Sequence, residues 1–92
     1  MTPPIRPRAR ADLAVVELDG EAVVYDEAEN ALHHLNPTAT VVFSLCDGSA
    51  TIRELADDLG GAYAVAAGRI EPQIRGLLLR LRRAGLLEPA GR

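Results

Sequence analysis

Residues 13–37 read LAVVELDGEAVVYDEAENALHHLNP. The first two runs, Leu13–Leu18 and Glu21–Asp26, are rich in β-branched residues and are separated only by Asp19-Gly20. Asp-Gly between two such runs is the strongest short hairpin signal, because both turn positions need φ > 0. Residues 27–30 (EAEN) then form a longer turn, and Ala31–Leu35 (ALHHL) a third short strand. The stretch predicts a three-stranded antiparallel meander over residues 13–35. Asn36-Pro37 ends it and starts a helix: Asn is a strong N-cap, and Pro suits the first helical turn, where no N–H is needed.

Three helices follow. The first is expected from about Pro37 to Cys46, stopping at Asp47-Gly48. Thr51 and Glu54 form a capping box that opens the second, which ends near Gly60-Gly61 or Tyr63. The third starts between Ala66 and Pro72 and runs to about Ala84. Gly85 sits at C′, and Leu86 where a Schellman contact belongs. The order is βββααα, an α+β domain with a small sheet beside a helix cluster and one open sheet edge. Open edges are either protected or used.

Composition bounds the rest. At 92 residues and 48% apolar content the chain is one globular domain, burying roughly 64% of its extended surface. Pro3, Pro4 and Pro7 make residues 1–12 a disordered arm, residues 13–88 the domain and residues 89–92 a tail. The single cysteine, Cys46, allows no intramolecular disulfide and no multi-Cys zinc site. No apolar run approaches the ~20 residues of a membrane span, and residues 2–12 lack the apolar core of a secretory signal. A soluble cytoplasmic protein is expected, without membrane association.

All ten cationic residues are Arg, yet the net charge is −3. Five of the ten fall between Arg69 and Arg83. At 100° per residue, Ile70, Ile74, Leu77 and Leu81 make the apolar stripe of the third helix, with Leu78 on its shoulder. Leu79 lies opposite, among Arg75, Arg82 and Arg83. An isolated exposed leucine is ordinary; alternatively Leu78, Leu79 and the arginine stems line a groove for an apolar, acidic peptide. The second helix carries Ile52, Leu55, Ala56 and Leu59 on one face, and Arg53, Glu54, Asp57 and Asp58 on the other.

Catalytic and metal chemistry finds no constellation. Adjacent His33 and His34 in a strand point to opposite faces and cannot share a metal. One is expected at the sheet–helix seam and the other in solvent. Cys46 in VVFSLC reads as a small core residue. Gly60-Gly61 lacks the Lys-Ser/Thr of a phosphate loop. No enzyme activity and no cofactor are expected.

The run LHHLNPTATVVFSLCDGSATIRELADDL, with Ile74–Leu87 and its ending RRAGLLEP, resembles the PqqD-like family. The resemblance covers about residues 13–88. It implies a winged-helix-like fold and a peptide chaperone, or RiPP recognition element. Such a domain holds the leader of a ribosomally made precursor peptide for a modifying enzyme, often a radical-SAM protein. In that family the leader adds to the third strand and packs on the third helix. The implied peptide-binding residues are Ala31, Leu32, His33, His34 and Leu35, with Arg75, Leu78, Leu79 and Arg82. A monomer and a dimer are both compatible with the family. The alternative function is a winged-helix DNA-binding regulator using the arginines of the third helix on phosphates. Net charge −3 and the acidic second helix oppose it, so no nucleic-acid partner is expected. A third reading is a scaffolding subunit that meets its partner through helix contacts.

Overall fold

Asp19 and Gly20 take φ of 55° and 80°, the left-handed pair that a two-residue hairpin turn requires. They join β1 (Ala14–Leu18) to β2 (Glu21–Asp26), and a turn with Asn30 at φ 51° leads into β3 (Ala31–Leu35). The computed structural model describes residues 5–89. The sheet order is β1-β2-β3, antiparallel throughout, with Val16 opposite Val23 and Val24 opposite His33. The expectation of one open edge needs correction: this order leaves β1 and β3 both unpaired on their outer sides among the described residues.

Helices α1 (Pro37–Ser44), α2 (Ile52–Tyr63) and α3 (Ala67–Arg83) follow. α1 starts where Asn36 accepts a hydrogen bond from the Ala39 N–H at 2.8 Å, a cap worth about 1 kcal/mol. It stops two residues before Cys46. The reciprocal Thr51–Glu54 capping box opens α2. Behind α3, Gly85 has φ 79°, and the Leu86 N–H reaches back to the Leu81 carbonyl at 3.0 Å. This is the Schellman closure, with Leu86 fully buried.

One core joins the layers. The core gathers Ala22 and Val24 of β2, Leu35 of β3, Ala39, Val42 and Phe43 of α1, Ala56 and Leu59 of α2, and Ile74, Leu78 and Leu81 of α3, with Cys46 and Leu86. Side chains alternate across β2 and β3, and Val23, Leu32 and His34 point outward, away from the core. All five residues of β1 are exposed. Val16, Leu18, Val23 and Leu32 leave an apolar outer sheet face.

The reading of residues 1–12 as a disordered arm is corrected from Pro7 onward; Pro3 and Pro4 lie outside the described residues. Pro7 is buried, and the segment threads between the α1–α2 loop and the C-terminal residues. The Ala9 N–H donates to the Cys46 carbonyl at 2.7 Å, and the Glu88 N–H to the Arg8 carbonyl at 2.8 Å. Gly48 donates to the Pro7 carbonyl at 2.9 Å, and a Cβ there would lie 2.6 Å from the Arg8 guanidinium. Prolines exclude helix here but tolerate extended pairing to partners distant in sequence.

Candidate peptide-binding cleft

The unpaired side of β3 borders a cleft of about 390 Å³. Its strand wall is Leu32, His33, His34 and Leu35, followed by Asn36, and Ala39 of α1 closes one end. Its helix wall is Leu77, Arg80 and Leu81 of α3, with Ala84 at the helix end and Leu86 beyond. The cleft therefore combines a backbone edge with free hydrogen-bonding groups and an apolar trough with one cation. Arg80 is exposed and makes no ion pair among the described residues.

Four of the five expected strand residues line the cleft, and Ala31 stands at the start of the same strand. His33 is half-buried on the inner side, and His34 is exposed on the outer side, 2.5 Å from Glu21 across the hairpin. The two imidazoles thus face opposite ways. On α3 the expected residues stand outside this cleft. Leu78 is buried in the core at 6% exposure. Arg75, Leu79 and Arg82 lie on the far side of the helix from Leu77, and Arg75 pairs with its own helix neighbour Glu71 at 2.7 Å.

Leu77, Arg80 and Ala84 line the cleft, and sequence reasoning did not single them out for binding. The signal was present: Leu77 and Leu81 stood on the apolar stripe. The core-facing set, Ile74, Leu78 and Leu81, is rotated by about 40° from that stripe at 100° per residue. Leu78 is buried in the core, whereas Leu77 is half-buried and lines the cleft beside β3.

Elsewhere the titratable groups serve the fold. Burial, with the neighbouring Asp47 carboxylate adding to it, pushes the Cys46 thiol up to about 11. Its Sγ donates to the Val42 carbonyl at 3.2 Å. A thiol so protonated is a poor nucleophile. No cluster of three or more His, Cys, Asp or Glu stands at metal-binding distance among the described residues, and no helix there is long and apolar enough to cross a membrane.

A three-stranded meander carried on three helices, with an open β3 edge above a helix-walled trough, defines a small α+β domain with a preformed groove. The family model of coenzyme PQQ synthesis protein D (PqqD) matches residues 21–87, and the chain belongs to that family. No curated protein matches by sequence. The fold is shared with TbiB1, solved in complex with the TbiA(beta) leader peptide. The TM-score is 0.80 at 20% identity, over 92% of this chain and 99% of that one. Lasso peptide synthetase B1, complexed with its leader peptide, gives 0.78 at 24% identity over 91% and 99%. The PqqD truncation of Methylobacterium extorquens PqqCD, a stand-alone RiPP recognition element in solution, gives 0.71 at 24% identity over 92% and 89%.

Proposed function

We propose that this domain binds the leader segment of a ribosomally synthesised precursor peptide by strand addition to β3 and presents it to a modifying enzyme. The observation that carries the reading is the unpaired β3 edge lying directly over the Leu77–Arg80–Leu81 wall. Main-chain pairing supplies affinity that any extended peptide can use, and alternate side chains dropped into the trough supply selectivity. Arg80 at the rim favours a peptide with a carboxylate nearby, because charge-assisted contacts are the stronger ones. Family membership and the leader-bound structural neighbours support the same reading.

The domain itself is non-catalytic in this account and acts with a partner enzyme. A radical-SAM protein, expected from the family resemblance, and a lasso-peptide processing enzyme, suggested by the neighbouring structures, are the two partners to test. Phosphate binding gains no support from the geometry: Arg75 is paired within α3, and α2 exposes Glu54, Asp57 and Asp58.

The test is an amide chemical-shift titration of labelled protein with the short peptide encoded beside its gene, using duplex DNA as control. Shifts confined to residues 31–36 and 77–84, from peptide alone, are expected. Shifts from DNA only, or none from the peptide, overturn the proposal.

A further inference from the structure

Among the described residues, β1 has no neighbour on its outer edge. All five of its residues are exposed, and it meets the rest of the fold chiefly through β2. Val16 and Leu18 stand 65% and 73% exposed, on the same outer face as Val23 and Leu32. Edges of this kind are ordinarily blunted by Lys, Pro, a bulge or a covering loop. Residues 14–18 (AVVEL) carry no Lys and no Pro, and their register with β2 runs unbroken from Ala14 to Leu18.

The strand is complementary to itself. Antiparallel pairing about a two-fold axis, in the register that uses the whole strand, sets Val16 opposite its own copy. Val15 then faces the partner's Glu17, and Ala14 the partner's Leu18, so each pair shares a face of the sheet. The backbone groups agree with this register. In a two-residue hairpin the pair flanking the turn, here Leu18 and Glu21, exchanges hydrogen bonds, and such pairs alternate along the ladder. Leu18, Val16 and Ala14 therefore turn their N–H and C=O groups to β2, and Val15 and Glu17 turn theirs outward. Those are the residues that the two-fold register joins. No carboxylate faces another, since Glu17 meets Val15 and Asp19 falls beside Leu13. On the outer face the row His34–Val23–Val16 continues into the same row of the second copy.

We propose that β1 is the docking edge for a second copy of this chain, the two β1 strands pairing antiparallel about Val16 to make a six-stranded sheet. A single short strand covers less than the about 800 Å² per partner of a standard interface, so the association is weak and reversible. The proposal does not rest on leader binding, since both β3 edges stay free at the two ends of the six-stranded sheet.

Sedimentation velocity from micromolar to millimolar protein is expected to show the 9.8 kDa monomer giving way to a species of twice that mass. Val15→Pro deletes an N–H that β2 does not use, and Val16→Lys places two cations across the axis. Each is expected to keep the protein monomeric throughout, with a melting temperature close to the wild type's. Val16→Cys tests the register. Facing residues of a non-hydrogen-bonded pair lie about 4.5 Å apart between Cα atoms, within disulfide reach. Val15 and Glu17 lie about 7–8 Å from their own copies in this register. Mild oxidation is expected to crosslink Val16→Cys at least tenfold faster than Val15→Cys or Glu17→Cys, Cys46 being buried. A monomer at millimolar concentration, a dimer that survives Val15→Pro, or crosslinking that favours position 15 or 17 overturns the proposal. Should Val15→Pro not fold, Val16→Lys and the crosslinking rates decide the outcome.

Discussion

Arg10 and Asp26 are sixteen residues apart in sequence, and the Arg10 guanidinium donates to Asp26 Oδ2 at 2.8 Å at the end of β2. Asp26 is 1% exposed. The same guanidinium donates to the Gly85 carbonyl at 2.8 Å and, through Nη2, to Asp12 at 2.7 Å. One side chain from the N-terminal segment thus ties the sheet to the C-terminal end of α3. Asp12 first, then Asp26, raises the Arg10 pKa, and Arg10 in turn lowers those of both carboxylates.

Arg10→Ala and Asp26→Ala are each expected to destabilise the fold more than removal of any exposed charge, because each leaves a partner without its bonds. The double variant loses less than the sum of the singles. Urea denaturation of the four proteins checks this; strict additivity would show that the pair does not act as a unit.

Acid stability follows from the same groups. Asp12, Asp26, Asp47 and Glu54 all lie below their ordinary values in the folded state, held there chiefly by Arg10, Arg10, Ser49 and the Thr51 backbone N–H respectively. A carboxylate depressed on folding stabilises the fold above its ordinary value, about 4, and that contribution is lost as pH falls through the folded value. Thermal melting temperature is expected to be level across these groups' range above about pH 5 and to fall below about pH 4. In Asp26→Asn the acid-side slope is shallower.

The Cys46 thiol, pushed up to about 11 by burial and by Asp47, is expected to react with a thiol reagent at pH 7 only through opening of the fold. Rates timed with Ellman's reagent, with and without denaturant, report this. Immediate reaction in native buffer would contradict the buried placement.

Leucines on α3 separate binding from stability. Leu78→Ala is expected to cost about 2–5 kcal/mol of stability, the range for a buried leucine, whereas Leu79→Ala, half exposed on the far side, is nearly neutral. Leu77→Asp is expected to weaken leader binding more than tenfold, and Leu79→Asp to leave it unchanged. Arg80→Ala lowers affinity for an acidic leader by a salt-sensitive factor of about 1.5–5, the scale of one solvent-exposed ion pair. Isothermal titration of the folded variants distinguishes them; a larger effect from Leu79 than from Leu77 would place the peptide on the opposite face.

Local chemistry made the element order legible. Asp19-Gly20, the Asn36-Pro37 start, the Thr51–Glu54 box and the Gly85-Leu86 end are each satisfied within a few residues of chain, so their neighbours in sequence suffice to define them. The β3 edge was legible for the same reason, as the last strand of a meander. The rotation of α3 was not, since a helical wheel reports a mean apolar direction and only packing against the other elements decides which leucine is covered. Nor was the docking of residues 7–10, whose partners Cys46, Leu86 and Glu88 lie dozens of residues away. The sequence by itself determined the strands, the helices and their caps. The tertiary structure alone decided that Leu77 and Arg80, rather than Leu79 and Arg82, face the groove. The physical reason is that burial belongs to pairs of elements and is a property of neither alone.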